Sequence, residues 1–438
     1  MWMTEKQKLQ NFIFLYCGQL ISQFGTSMTG FAVVIWAFSE KGSVIASSSL
    51  AICTMLPYLV VGWFGGSVTD KVKKKKIMLA SDLVAAIGTL TILYFYQQVH
   101  LEIWILCLIN FVNGTMNAFQ KPAAKVVTSL LIPKKDYVKI EGIQSTGNSM
   151  MNIFTPVIAA SMFGFGGLEL ILAIDFATFL FAFITLIIFV KIPETIPEEK
   201  SSIPDLLRAT KEGIQYLVSE RGIFTLFLLY ASLNFFASLS FDSMVNPYLL
   251  ARTGNNSMVV GIVSAAAAAS GVAAGVIIST MKSVKRKVPM MFAGILLAFC
   301  GIASFGMGRN LIWWIISVVV GCFGMPFYFS YESAIIRENV PMAYQGRVFA
   351  MKDTLTQPLV MLGYWLGALL ADYAFEPFMQ RQGTFQSILG QIVGRGPGAG
   401  MGLIFVLAGL AGLLLTLRAR HNKTILALDS NKSETNAT

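Results

Sequence analysis

Long apolar runs separated by short polar segments dominate the pattern of this 438-residue chain. An α-helix rises 1.5 Å per residue, so about 20 apolar residues cross the roughly 30 Å of hydrocarbon in a bilayer. Twelve runs have this length, which predicts an all-α polytopic membrane protein. We number these predicted spans 1 to 12 in chain order: Phe12–Phe38, Ser43–Gly66, Ile77–Gln97, Glu102–Lys121, Val138–Phe163, Leu168–Val190, Ile223–Leu250, Val259–Met281, Val288–Met307, Leu311–Ala334, Val348–Tyr373 and Gly400–Leu417.

Polar segments divide these runs into four regions. Residues 1–190 hold spans 1 to 6, and residues 223–417 hold spans 7 to 12. Residues 191–222 contain prolines and an amphipathic stretch, which predicts a cytoplasmic linker with a surface helix. Residues 418–438 form a polar tail that we expect to be disordered, and residues 376–398 a long outer loop with some amphipathic helix. The first ten residues lack a small-residue cleavage site, which argues against a cleavable signal peptide.

Composition excludes the soluble classes of protein. Hydrophobic residues make up 55% of the chain and charged residues only 13%, with a mean hydropathy of +0.66. Soluble globular domains carry about 25% charged residues, so a soluble enzyme is excluded. With only two histidines, the sequence predicts no metal site. The five cysteines all lie inside apolar runs, which predicts free thiols rather than disulfides. The sequence has no Gly-x-x-x-x-Gly-Lys-(Ser/Thr) phosphate loop, so we expect no ATPase activity, no enzyme and no cofactor.

The positions of lysine and arginine predict the orientation in the membrane. Cytoplasmic loops carry an excess of these residues, and this account explains the net charge of +10 better than nucleic-acid binding does. With both termini in the cytoplasm, only five of the 33 lysines and arginines fall outside: Lys41, Arg252, Arg309, Arg381 and Arg395. We therefore expect a multi-pass protein of the inner or plasma membrane with both termini cytoplasmic.

A weak internal repeat at an offset of about 210 residues relates the two halves. Lys71 and Lys74–Lys76 recur as Lys282 and Lys285–Lys287, each time in an inner loop. A parallel duplication of this kind places two six-helix bundles around an axis along the membrane normal. The fold prediction is therefore twelve transmembrane helices in two pseudo-symmetric six-helix bundles.

Polar residues recur at three- or four-residue spacing in four of the spans. This spacing places them on one helical face, which we expect to border the bundle interior or a water-filled cavity because such side chains are costly against lipid. The alternative is that they form hydrogen bonds between helices. The candidates for a substrate cavity are Gln19, Gln23, Asn110, Asn113, Asn117, Gln144, Asn148, Asn152, Asn234, Ser238 and Asn246.

Acidic residues inside the spans are candidates for coupling transport to protons. An ionised carboxylate is expensive in hydrocarbon, so such a residue is expected to face the cavity and to exchange a proton there. The candidates are Asp242, Glu332, Asp353 and Asp175. Asp242 is the main candidate, because it lies in the outer half of span 7 on the polar stripe. The alternative is a permanently protonated Asp242 that is hydrogen-bonded to a neighbouring helix.

The loop between spans 2 and 3 carries a recognisable pattern. Its spacing is close to Gly-x-x-x-Asp-(Arg/Lys)-x-Gly-(Arg/Lys)-(Arg/Lys), with Lys73 in place of the second glycine. The matching residues are Gly66, Asp70, Lys71, Lys74 and Lys75. In this loop the chain resembles the major facilitator superfamily. Leu56-Pro57-Tyr58, Pro122-Ala123 and Gly346-Arg347-Val348-Phe349 are similar to its macrolide-efflux branch of bacterial drug exporters.

The resemblance implies a function as well as a fold. It implies multidrug or macrolide export by alternating access, in which Asp70 locks the halves together on the cytoplasmic side. The alternative for the lysines is a role in topology and lipid contact. Proton antiport and antibiotic resistance are further implications, although span 4 lacks the arginine of drug/proton antiporters and Thr155-Pro156 replaces their Gly-Pro pair.

Other transporters of the same fold remain open as alternatives. They are a lysolipid or lipid translocator and a nutrient importer. The expected partners are a small amphipathic substrate, protons and membrane lipids, with no nucleic acid. We expect a monomer.

Overall fold

The computed structural model describes residues 5–61, 72–98, 100–132, 137–192, 219–281, 284 and 286–429. Every regular element in these ranges is helical, which confirms the all-α prediction. Nine helices among these residues are long and apolar enough to cross a membrane. The total of twelve spans stays a prediction.

The chain separates into two compact units. Unit 1 comprises Met1–Gly42 and Ala46–Lys200, and unit 2 comprises Ser43–Ile45 and Ser201–Thr438. The predicted linker lies almost wholly outside the described residues, so the predicted domain boundaries remain predictions.

Unit 1 is built from five helices that the structure describes. They are α1 (Glu5–Lys41), α2 (Val44–Val61), α3 (Lys74–Gln98), α4 (Ile103–Leu131) and α5 (Tyr137–Ile188). The 52 residues of α5 would measure about 78 Å if straight, far more than one membrane crossing. Gly167, with φ 62° and ψ −158°, breaks α5 into two segments. Only glycine adopts this conformation readily, and it joins predicted spans 5 and 6 without a loop.

Unit 2 contains more elements because two of its long helices include π-helical turns. The first long helix comprises α6 (Arg221–Ala237), a π turn (Ser238–Asp242) and α7 (Ser243–Thr253). The following helices are α8 (Ser257–Thr280), α9 (Lys287–Gly306), α10 (Leu311–Asn339) and α11 (Met342–Leu369). A second π turn (Leu370–Phe375) leads into α12 (Glu376–Gln380), and α13 (Thr384–Val393), α14 (Ala399–Ala419), α15 (Lys423–Leu426) and a 3₁₀ turn (Ala427–Asp429) complete the unit.

Glycine contacts let α9 pack closely against its two neighbours. A Cβ on Gly301 would lie 2.4 Å from the Cα of Gly321 in α10, and one on Gly409 in α14 would lie 2.6 Å from the backbone nitrogen of Ala303. Small residues allow helices in a membrane to approach in this way. These contacts fix α9 between α10 and α14.

The expected disorder of the tail is wrong for its first part. The Asp429 carboxylate accepts the backbone N–H groups of Lys287 at 3.0 Å and Val288 at 3.1 Å. It therefore caps the positive end of α9, where the helix dipole favours an anion. Ile425 is fully buried, so apolar packing also holds α15 in place.

Candidate transport site

The gating loop is described only in its last part. Three of the five predicted gating residues lie outside the described residues: Gly66, Asp70 and Lys71. Lys74 is buried, and the Lys75 ammonium donates hydrogen bonds to the carbonyls of Val190 at 2.7 Å and Ile187 at 3.2 Å. Carbonyls at a helix C-terminus attract cations, so Lys75 caps the end of α5.

A buried carboxylate joins three helices in unit 1. Asp82 in α3 is 5% exposed and accepts hydrogen bonds from Gln120 in α4 at 2.7 Å and Gln19 in α1 at 3.1 Å. Gln120 also donates to the Gln19 amide oxygen at 3.3 Å. Gln19 therefore forms hydrogen bonds between helices, which the sequence analysis left open as the alternative to lining a cavity.

A second buried carboxylate in unit 1 is held by three hydroxyl groups. Asp175 in α5 accepts hydrogen bonds from Thr89 at 2.8 Å, Thr29 at 3.0 Å and Thr26 at 3.2 Å. Its side chain is 3% exposed. These three hydrogen bonds fix α1, α3 and the second segment of α5 against one another.

The polar residues of span 4 lie in α4 and differ from one another in their burial and hydrogen bonds. The Asn110 amide lies 3.4 Å from the carbonyl of Leu50 in α2, a contact between helices. The Asn113 amide oxygen is buried and has no hydrogen-bond partner among the described residues. Asn117 is half-buried. Asn113 therefore offers a buried acceptor that is unused within the described part of the chain.

The remaining cavity candidates of unit 1 are less fully described. Gln23 in α1 is exposed, and Gln144 in α5 is half-buried. The side chains of Asn148 and Asn152 lie outside the described part of the structure. The predicted cavity lining in this unit therefore stays a prediction.

The polar stripe of span 7 crosses the first π turn of unit 2. The amide of Asn234 donates to the Tyr230 carbonyl at 2.8 Å, and the hydroxyl of Ser238 donates to the Phe235 carbonyl at 3.0 Å. Ser238 is fully buried, whereas Asn246 is half-buried. A π turn contains an extra residue, so it rotates the following residues relative to an α-helical stripe.

Asp242 ends this π turn and has unusual surroundings. Its side chain is exposed, although many protein atoms lie around its carboxylate. No hydrogen bond to this carboxylate is found within the described residues. Cys322 in α10 and Tyr364 in α11 lie within its electrostatic range. Asp242 therefore combines accessibility with a carboxylate that no fixed donor holds.

Glu332 in α10 forms a buried ion pair that the sequence analysis missed. The Lys352 ammonium in α11 lies 2.8 Å and 3.1 Å from its two carboxylate oxygens. Glu332 is 1% exposed, and the same ammonium lies 4.0 Å from the ring centroid of Tyr230 in α6. The Tyr328 hydroxyl is buried without a hydrogen-bond partner among the described residues, and its ring lies 5.9 Å from that of Tyr230. The Asp353 side chain is not described.

The sequence did contain signals for the missed residues. Asp82 and Lys352 are ionisable residues inside apolar spans, and such residues usually have a partner in the protein interior. Gln120 follows the span 4 stripe by three residues from Asn117. The partner of each residue lies on another helix, and the spacing within one span does not reveal it.

Comparison with known proteins identifies the family to which this chain belongs. The family model of the Major Facilitator Superfamily matches residues 15–363. The chain belongs to the major facilitator superfamily. It is 27% identical over 365 residues to Macrolide efflux protein A of Streptococcus pyogenes, covering 82% of this chain and 89% of that protein. It is also 27% identical over 320 residues to Macrolide efflux protein A of Enterococcus faecalis, covering 72% of this chain and 98% of the relative.

Solved structures support the major facilitator fold. The nucleoside transporter NupG superposes with a TM-score of 0.69 over 97% of this chain and 100% of that structure, at 14% identity. At this identity the likeness concerns the fold alone. The protein is thus a multi-span membrane transporter of this superfamily, and such proteins are not enzymes.

Proposed function

We propose that this protein exports amphipathic, drug-like compounds, macrolides among them, by alternating access coupled to proton entry. The main support for the substrate class is the name shared by the Streptococcus and Enterococcus relatives, which align with most of this chain. Export of this kind would confer antibiotic resistance on a cell that makes the protein. Asp70 and the neighbouring lysines would form the cytoplasmic gate.

The Glu332–Lys352 pair supplies a site in unit 2 that suits such a substrate. The Tyr230 and Tyr328 rings form an aromatic wall beside the pair. An amphipathic cation could pack on these rings and compete with the lysine for the carboxylate. A polar acceptor on the substrate could receive the hydrogen bond that the Tyr328 hydroxyl does not make within the described part of the chain.

Asp242 is the residue that we propose for proton coupling. The observation that carries this role is the exposed side chain of Asp242, whose carboxylate no donor holds among the described residues. Asp175 accepts three threonine hydrogen bonds and Glu332 is paired with Lys352, so each has fixed partners. A carboxylate with no fixed partner can exchange a proton with less disruption of the surrounding structure. π turns are also frequent at functional sites.

Uptake into inverted membrane vesicles tests both parts of the proposal. Binding of a fluorescent macrolide, a lysolipid and a sugar is first compared by fluorescence quenching of the purified protein. Proton-driven uptake of the compound that binds is then measured for the wild type and for Asp242→Asn. We expect macrolide binding in both proteins and loss of the proton-driven uptake in the variant. Asp242→Glu keeps an exchangeable proton and is expected to retain coupling.

Two results would contradict this proposal in different ways. Binding of only the lysolipid or only the sugar would overturn the substrate class. Unchanged proton-driven uptake by Asp242→Asn would move the coupling role to Glu332, Asp353 or Asp175.

A further inference from the structure

A cavity of about 600 Å³ opens at the end of unit 2 that the sequence predicts to be outside. It lies among the end of α7, the connection from α9 to α10, and α13. Three arginines contribute to its wall: Arg252, Arg309 and Arg395. They are three of only five basic residues assigned to the outer side, although basic residues are normally concentrated on the inner side. Their convergence on one cavity therefore calls for an explanation other than topology.

Neutral groups hold these guanidinium groups in place, and that of Arg395 donates to the hydroxyl of Ser387 at 3.2 Å. Arg252 donates to the carbonyls of Arg395, at 3.1 Å, and Val393, and Arg309 donates to the carbonyl of Gln391. Within the described residues no carboxylate lies within ion-pair distance of any of the three arginines. Glu376 is within electrostatic range of Arg252, but its oxygens accept backbone N–H groups from α14 and the loop before it. The cavity therefore keeps a net positive charge.

Two buried donors at this cavity make no hydrogen bond of good geometry in the described part of the chain, although the Tyr248 hydroxyl lies near both of their side chains. They are the Nε of Arg252 and the indole Nε1 of Trp314. Trp314 is only 3% exposed and belongs to the cavity wall. Leaving a buried donor unsatisfied is costly, so both groups favour an acceptor that enters the cavity. Guanidinium and indole N–H groups together suit the oxygens of a phosphate group.

The helix beside the cavity indicates where such a phosphate would come from. One edge of α13 exposes Phe385, Ile388 and Ile392 at 76%, 54% and 44%. An adjacent side of the helix buries Val393 against α14. A helix that leaves a row of large apolar side chains exposed in a membrane protein is suited to the boundary between lipid headgroups and acyl chains. Gln391 of the same helix lines the cavity, so lipid headgroups would lie at the level of the arginines.

We propose that this cavity binds the phosphate group of an anionic phospholipid. The headgroup phosphate would accept hydrogen bonds from the three arginines and Trp314, and the acyl chains would lie along the exposed edge of α13. This site is separate from the proposed transport site, and its occupation does not depend on the identity of the transported substrate.

Lipid titration of the purified full-length protein tests this assignment. Thermal unfolding and native mass spectrometry are measured in micelles that contain phosphatidylglycerol or phosphatidylcholine, and inorganic phosphate is titrated separately without phosphatidylglycerol. We expect the wild type to retain phosphatidylglycerol preferentially. The double variant Arg309→Gln/Arg395→Gln should bind it roughly 30-fold more weakly, because each basic residue near an anionic lipid contributes about one factor of five to affinity.

Two further variants separate the site from general charge and folding effects. Arg381→Gln removes another predicted outer arginine that does not line the cavity, and it should bind phosphatidylglycerol as the wild type does. Trp314→Phe keeps an aromatic ring, though a smaller one, and removes the N–H donor, so it should also weaken binding. A wild type that does not distinguish the two lipids and does not respond to phosphate would overturn the proposal, as would equal phosphatidylglycerol binding by the double variant. Stabilisation by inorganic phosphate alone would support the phosphate site and overturn the lipid as its source.

Discussion

Replacing Lys352 by methionine should strongly destabilise the protein, because it removes the ammonium that contacts both oxygens of the buried Glu332 carboxylate. Glu332 is 1% exposed, and its two oxygens lie 2.8 Å and 3.1 Å from the lysine nitrogen. Removing one partner of a buried ion pair costs about 3–5 kcal/mol. Loss of the contact with the Tyr230 ring, at 4.0 Å, adds about 0.5–2 kcal/mol. The free energy of unfolding is measured by titration with sodium dodecyl sulfate in mixed micelles.

Two comparisons make this prediction refutable. The double variant Glu332→Gln/Lys352→Met removes both charges, so it should recover most of the loss and retain only the deficit of about 0.5–2 kcal/mol from Tyr230. Lys41→Met breaks a pair whose atoms lie 3.6 Å apart and whose side chains are 41% and 49% exposed, so it should cost at most about 1 kcal/mol. The stabilising role of the ion pair is refuted if Lys352→Met is as stable as Lys41→Met. It is also refuted if Lys352→Met and the double variant lose the same free energy of unfolding.

Two other predictions concern packing and orientation. Gly301→Ala should destabilise the protein by about 1–3 kcal/mol, because its Cβ would meet the backbone of Gly321 at 2.4 Å. Gly275→Ala, with no atom within 4 Å of its Cβ, should be neutral or slightly stabilising. Both variants are compared with the wild type by thermal unfolding. A cysteine label at the exposed Lys73 position should be inaccessible from outside intact cells and one at Gln382 accessible, and the opposite labelling pattern would reverse the predicted orientation.

The helical elements of this protein could be predicted from the sequence because each depends on the composition of one continuous run. An apolar run such as Val288–Met307 needs no knowledge of its neighbours, and α9 occupies Lys287–Gly306. The break at Gly167 was harder to predict, because glycines also occur inside unbroken helices. The predicted gap between spans 5 and 6, residues 164–167, nevertheless contains Gly167, because glycines interrupt the apolar run there.

The contacts of the candidate site could not be predicted in the same way. Glu332 was recognised as an intramembrane acid, but its partner Lys352 lies on the next helix, and no spacing within one span connects them. The stripe through Ser238 and Asp242 was inferred from α-helical spacing, whereas the intervening π turn gives the two residues different surroundings. Pairing between helices and local departures from 3.6 residues per turn depend on the packed structure.

The backbone of Gly167 also has a consequence for how the protein is made. The four residues between predicted spans 5 and 6, Gly164 to Gly167, contain no charged side chain and form no polar loop. Moving this connection across the bilayer during synthesis therefore transfers little polar surface beyond the carboxyl group of Glu169, which follows Gly167 by two residues. The two segments can enter the membrane together as one helical hairpin. Their orientation is then set by the charged residues at their far ends, around Lys139 and Lys191, rather than by the turn that joins them.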